Sequence, residues 1–286
     1  MLKKEQLKTS VQNIEEFLTK TGFILEMEVA ELLAKKGYSV GVNKYFHDYD
    51  EDKNREIDII ATKKVGEVLL VLVIECKQSL IDDWIFICSD KRPSRYYQYL
   101  KHTPEAIDNS KTKIFNHFSV LDYSSQLAQN HIIRGKSKKK STSMQIDTCL
   151  EKLPKALVDF VDSNKEINVR KIYLPVAVFS GNIFTAQYSK KLQVKNTEWV
   201  QHESFFESEN YLHHYESSLF LMKSPYEISP PEKSKPNSAI AHTSQNIGYK
   251  YLIDFTTKKG LSKLILRVEA DISKIDLTKW PIQEKK

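Results

Sequence analysis

The chain has 286 residues, of which 41% are hydrophobic, enough to bury a sizeable core. Its formal net charge is +6, and Arg134, Lys136, Lys138, Lys139 and Lys140 all fall in the one run RGKSKKK, so the excess is local and suits a polyanionic partner or a solvated linker. The longest uninterrupted apolar run covers residues 68–74, against the roughly 18 to 20 residues needed to cross a bilayer. The opening MLKKEQLKTS has no apolar signal segment, and Cys76, Cys88 and Cys149 form no C-x-x-C pair, so the expectation is a cytoplasmic chain with reduced thiols and no structural zinc.

Over residues 13–36, Ile14, Phe17, Leu18, Phe23, Met27, Ala30 and Leu33 keep approximate helical spacing. Gly22 is a break point between two helices, and Gly37 is a C-terminal stop. Residues 38–46 (YSVGVNKYF) alternate like a half-buried strand and run into the acidic turn DYDEDKN. Two β-rich runs follow at 57–62 and 67–76, joined by KKVG at hairpin length; the second is apolar at consecutive positions, as in a strand buried on both faces. The polar and aromatic stretch 89–118 reads as short helices and loops rather than sheet, and low complexity is confined to 135–143. Residues 146–161 have the pattern of an amphipathic helix, against which Pro154 stands as an objection. A strand is expected at 171–179 (KIYLPVAVF), with Ser180, Gly181 and Asn182 as a hairpin turn and 183–188 returning beside it. The proline-rich SPYEISPPEKSKPNS reads as a surface loop, 249–256 as a strand and 261–272 as a closing helix. The economical arrangement is an α/β domain over 1–286, a mixed central sheet flanked by helices, with its core in 13–80 and 146–275. Residues 80–145 would be a helical and loop insertion carrying the basic loop 134–143.

Chemistry concentrates at the end of the most apolar run. Residues two apart on a strand share a face, so Glu75 and Lys77 project together while Cys76 turns the other way. If 57–62 pairs with 67–77, Asp58 reaches the same patch from the neighbouring strand. The bland explanation is a salt bridge at the solvated end of a hairpin. The sharper one is a divalent cation held by Asp58, Glu75 and the Cys76 backbone carbonyl, with Lys77 beside the nucleophile.

The stretches GFILEMEVAELLAKKGYSV, REIDII and VIECKQS together resemble the PD-(D/E)XK nuclease superfamily, the restriction-endonuclease-like fold, and its Mrr-like prokaryotic members in particular. The resemblance covers about residues 20–80 and extends loosely to KIYLPVAVFSGNIFTAQY. It implies that Asp58 and Glu75 are metal ligands, that Lys77 assists the attacking water, and that Glu26, with Glu28 as its rival, completes the acidic cluster. It also implies that Gln78 and Ser79 contact the nucleic-acid backbone, and that Ile57 replaces the name-giving proline. The implied activity is Mg2+-dependent hydrolysis of DNA phosphodiesters, with Mn2+ able to substitute, leaving 5′-phosphate and 3′-hydroxyl ends, in prokaryotic antiviral defence or DNA processing. The implied partner is double-stranded DNA, with a homo-oligomer or a separately encoded ATPase compatible with the family. The alternative is a nuclease-fold, nucleic-acid-binding subunit of a larger ATPase-containing complex that does not itself cut.

Other motifs carry less. The eight glycines form no G-x-x-x-x-G-K-[ST] phosphate loop, and the histidines, His213 and His214 included, lack metal spacing. Lys91, Arg92, Arg95 and Lys101 interleave with Tyr96, Tyr97 and Tyr99, as on a surface that tracks phosphates and stacks bases, or equally as tyrosines anchoring a helix on the core. Together with Lys136, Lys138, Lys139 and Lys140, Arg92 and Arg95 are the candidate phosphate contacts.

Overall fold

The computed structural model describes residues 13–15, 17–18, 21–79, 81–88, 95–100, 120–121, 126–135, 144–163, 170–206, 219–223 and 249–275. Helical residues 13–15 and 17–18 precede the helix α1, Phe23–Lys35, and Gly22 sits at its N-cap as the sequence suggests. At the other end Gly37 takes φ +83°, its N–H donates to Ala34 O, and Tyr38 N–H donates to Leu33 O, the reciprocal pair of bonds that a left-handed residue makes available.

Strands β1 (Ser39–Asp48), β2 (Lys53–Val65) and β3 (Val68–Lys77) form an antiparallel meander. Val65 faces Val68 across the second turn, so the hairpin is tighter than KKVG implied: only Gly66 and Glu67 make the loop, with Gly66 at φ +60°. The chain continues through β4 (Asp82–Cys88), β5 (Arg95–Leu100), β6 (Val120–Leu121) and β7 (Leu127–Gly135) to the helix α2, Met144–Ser163. Then come β8 (Arg170–Phe179), β9 (Asn182–Tyr188), β10 (Leu192–Thr197), β11 (Trp199–Phe206), β12 (Leu219–Lys223), β13 (Tyr249–Thr257) and the closing helix α3, Lys258–Ile272. Among the described residues a mixed sheet of ten strands runs β1-β2-β3-β8-β13-β11-β7-β4-β9-β10, and β12-β5-β6 form a smaller one.

Each face of the large sheet carries its own apolar cluster. Leu70, Leu72, Ile74 and Cys76 of β3 pack with Leu25, Val29 and Leu33 of α1 and with Leu261, Leu264 and Ile265 of α3. Val71 and Val73 point the other way, into the cluster formed with Ile146, Cys149, Leu153 and Ala156 of α2. The two-sided burial expected of β3 is therefore present, and the sheet lies between helices. Helix α2 runs through Pro154: the apolar stripe on its inner face outweighs the one hydrogen bond the proline cannot donate. No helix among the described residues is long and apolar enough to cross a membrane.

Two sequence expectations are overturned. Within 80–145, expected to be helix and loop, β4 and β7 are strands of the main sheet and residues 95–100 are strand as well. DDWIFIC alternates and is rich in aromatic and β-branched residues, and its Trp84 and Phe86 are fully buried. Nor do β8 and β9 form a hairpin: β8 lies between β3 and β13, whereas β9 pairs with β4 and β10. The parallel pair β3–β8 breaks at 78–81 and 180–181 and resumes as the parallel pair β4–β9, so Ser180 and Gly181 bend a two-stranded ribbon instead of reversing one strand. The bend is fastened by Ser180 N–H to Lys77 O, Ser79 N–H to Ser180 Oγ, and the stack of Trp84 on Phe179 with centroids 4.0 Å apart.

Gly181 has no room for a side chain at this corner. A Cβ there would stand 2.6 Å from the Phe179 ring and 2.8 Å from the Asp82 carbonyl oxygen, and neither the stacked ring nor the backbone can yield. Gly181→Ala should therefore lower stability by about 1–3 kcal/mol in chemical denaturation, the usual cost of overpacking. An unchanged midpoint would show that the corner is loose.

Candidate functional site

The site forms where β2 and β3 part company. Their backbone ladder ends at Ile59 opposite Ile74, and one residue further the Asp58 side chain takes over the role of a strand: its Oδ2 accepts the Cys76 N–H at 2.6 Å. Glu75 lies on the face that α2 covers and is 1% exposed. Lys77, on the same face as the pleat requires, donates to Glu75 Oε1 at 2.6 Å. Cys76 turns away into the apolar cluster under α1 and α3.

A second ammonium, which the sequence reading missed, comes from α2. Lys152 Nζ stands 2.8 Å from Glu75 Oε1, 2.7 Å from Glu75 Oε2 and 3.9 Å from Asp58 Oδ1. The signal was present in the sequence: Lys152 is three residues after the buried Cys149 and four before the buried Ala156, a lysine inside the apolar stripe of its own helix.

Of the two helix glutamates, Glu28 is exposed and pairs with Lys258 at 2.7 Å. Glu26 is half-buried and lies within the electrostatic reach of Glu56, Glu75, Lys77 and Lys152; burial, then repulsion from Glu56 and Glu75, raises its carboxyl above the ordinary range. Burial is also the main reason that Asp58 is pushed up to about 7, with Glu75 adding to it and the Cys76 N–H and Lys152 opposing it. For Lys77, burial works against the charged form, but the Glu75 carboxylate prevails and holds the ammonium above the usual lysine value. Burial drives the Cys76 and Cys149 thiols upward, so neither is an activated nucleophile.

The other expected residues are placed differently. Ser79 spends its hydroxyl on Asp82 Oδ2 at 2.7 Å and receives the Asp82 N–H at 3.0 Å, which makes it part of the bend after β3. Gln78 is half-buried beside it. Arg95 lies on β5, opposite Leu121. Arg134 is not in a loop: it is the penultimate residue of β7 and its guanidinium pairs with Asp83. Lys91, Arg92, Lys101, Lys136, Lys138, Lys139, Lys140, His213 and His214 lie outside the described residues. Among the histidines that are described, His131 bridges Asp147 at 3.0 Å and His202 at 3.3 Å, a contact between α2 and the sheet.

Whether the site suits a divalent ion turns on its oxygens. No group of three or more His, Cys, Asp and Glu stands in metal-binding geometry among the described residues. Mg2+, however, is commonly held by one or two carboxylates, with waters and phosphate oxygens completing the shell. The neighbouring Asp58 and Glu75 carboxylates supply that minimum, and Glu75 Oε2 is buried without an aligned hydrogen bond. The two carboxylates therefore supply the oxygens that such an ion needs at a minimum. Comparison with protein-family models, with curated proteins and with solved structures gives no match.

The elevated Asp58 makes a signed prediction. Its ordinary value is 3.8 and its folded value about 7, so between those limits the folded chain holds a proton that the unfolded chain has released. Stability must then fall as pH rises from about 4 to about 7, and the penalty is complete above 7. Asp58→Asn removes the titration while keeping an acceptor for the Cys76 N–H. In urea denaturation without metal, the variant should exceed the wild type by roughly 2–4 kcal/mol at pH 8, each tenfold in proton affinity being worth about 1.4 kcal/mol, and the gain should vanish near pH 4. A gain that does not vary with pH would refute the cause given.

Proposed function

We propose that this chain is a metal-dependent nuclease of the restriction-endonuclease-like type, hydrolysing phosphodiester bonds of double-stranded DNA. The observation that carries the reading is the meeting of Asp58, Glu75 and Lys77 at one end of the β2–β3 pair, with Glu26 beside them. In favour stand the near-complete burial of Glu75 beside the partly buried Asp58, and the mixed sheet between helices that presents them.

Asp58, Glu75 and the Cys76 carbonyl would hold Mg2+, or Mn2+ in its place. When bound, that ion supplies a water of lowered pKa and neutralises charge building on the phosphate. Lys77 keeps a positive charge at the reacting centre, because its ammonium is anchored on Glu75 and held in the charged form. Residues 78 and 79, at the start of the bend, lie where the chain leaves the site and where a phosphate backbone would pass. The biological setting consistent with this chemistry is cytoplasmic cleavage of DNA in prokaryotic defence or DNA processing.

One observation favours a second reading, a nucleic-acid-binding subunit of a larger ATPase-containing complex that does not cut. Lys152 already sits on both Glu75 oxygens, so the acid pair has a counter-ion of its own. Plasmid cleavage in Mg2+ and in Mn2+ separates the two readings. The wild type should cleave, and Asp58→Asn, although more stable, should lose at least about a hundredfold in rate, as removal of one transition-state stabiliser does. Lys77→Ala should be comparably impaired. No cleavage by the wild type in either metal, with DNA binding retained, would leave the non-cutting subunit as the answer.

The basic run is tested separately. Replacing Lys136, Lys138, Lys139 and Lys140 with glutamine should weaken DNA binding equally for unrelated sequences. It should also flatten the plot of log affinity against log salt by about 0.9 for each phosphate that is no longer neutralised. An unchanged slope would make the run a solubilising linker.

A further inference from the structure

We infer that Lys152 is a built-in competitor for the divalent cation: its ammonium closes the Asp58–Glu75 pair in the resting protein and must swing away when the ion binds. The inference rests on the metal-dependent reading above and deepens it by naming the side chain that regulates loading.

Geometry makes the two occupants exclusive. Lys152 Nζ lies 2.8 Å from Glu75 Oε1 and 2.7 Å from Oε2, so it faces both oxygens of the carboxylate, and it looks across at Asp58 Oδ1 from 3.9 Å. A divalent ion held by the same carboxylates would have to approach Glu75 where the ammonium already faces both of its oxygens. Oε1 already receives Lys77 as well, so Glu75 has no oxygen clear of an ammonium.

The fit of Lys152 is incomplete. Although Oε2 is within 2.7 Å of the ammonium, it is buried and accepts no aligned hydrogen bond, and Glu75 as a whole is 1% exposed. A carboxylate oxygen this deep is normally satisfied. The lysine therefore neutralises the atom without saturating it, which leaves an acceptor that a stronger cation would use. Lys152 also has somewhere to go. Its side chain is 16% exposed and hangs by four methylenes from a helix whose neighbouring Lys155 is fixed on Asp48 at 3.1 and 3.2 Å. The helix can stay in place while one side chain moves.

Titration with Mn2+ and with Mg2+ alone, without nucleic acid and at fixed pH and ionic strength, tests this by calorimetry and by the free-Mn2+ resonance signal. Lys152→Met and Lys152→Gln should bind the ion at least tenfold more tightly than the wild type. Lys152→Arg should stay near it, and the exposed Lys64→Gln, a control for general charge, should change affinity less than twofold. Circular dichroism confirms that each variant is folded. A readout on the wild type avoids substitution altogether: saturating Mg2+ should raise the rate at which an amine-acylating reagent labels Lys152, resolved by mass spectrometry, while the rate at Lys64 stays constant. If wild type and Lys152→Met bind Mn2+ equally, or if labelling of Lys152 does not respond to bound Mg2+, the competitor role is overturned and the nuclease reading stands. If no form of the protein binds either ion, both fall.

Discussion

Almost everything near the site answers to one constraint: a glutamate, Glu75, is buried at the end of the most apolar strand of the protein. An ionised carboxylate in that position is untenable alone and demands cations within hydrogen-bonding reach. The strand supplies the first by its pleat, since Lys77 is the next residue on the same face. The second must come from outside the strand, and α2 brings it by crossing the face that Glu75 points into. The position of α2 is in turn secured by polar ties along its length. Asp147 meets His131 near its start, Lys155 meets Asp48 in the middle, and Asp159 accepts the Tyr49 hydroxyl towards its end. These contacts fix the register at which Lys152 arrives over Glu75.

The same constraint explains the corner after β3. A strand buried on both faces cannot continue into polar residues at Gln78 and Ser79 without leaving the core, and the chain does leave it, together with its parallel neighbour β8. Because both strands bend at one place and resume as β4 and β9, the corner is held by backbone and hydroxyl bonds between Lys77, Ser79 and Ser180. Trp84 stacks against Phe179 immediately beyond it. The candidate residues therefore sit at a corner between two runs of sheet, where geometry is held better than on a loop.

The sequence revealed the parts of this arrangement that obey local periodicity. The alternation that sets Glu75 and Lys77 on one face, the Gly22 and Gly37 limits of α1 and the helix through Pro154 are all legible because they depend on neighbours within a few residues. The same periodicity separates Glu26, half-buried within electrostatic reach of Glu75, from Glu28, exposed and paired with Lys258. What escaped depends on contacts remote in sequence. Nothing local to Ser180, Gly181 and Asn182 distinguishes a hairpin from a bent ribbon, because the difference lies in whether β9 pairs with β8 or with β4. Lys152 escaped because its partner is 77 residues away, although a lysine within an apolar stripe already called for one. The strand β4 is obscured in the sequence for a different reason: DDWIFIC is short, and the charged and tyrosine-rich residues that follow it dominate the composition of the region.

Taken together, three carboxyls, Glu26, Asp58 and Glu75, face two ammoniums, Lys77 and Lys152. One proton among the acids makes the group neutral, and below pH about 7 Asp58 can carry it, since burial and Glu75 push that acid up to about 7. A neutral resting cluster is the arrangement that a low-dielectric site tolerates best, which accounts for how so many ionisable groups coexist around one buried residue. It also means that the cluster is complete in charge before any partner arrives. A doubly charged ion would join a cluster that already holds two ammoniums and, below pH about 7, the Asp58 proton, so these are the charges that can leave as it binds. The ammonium of Lys152 reaches Glu75 from a separate helix and is the mobile part of that balance, whereas Lys77 belongs to the strand that carries Glu75 itself.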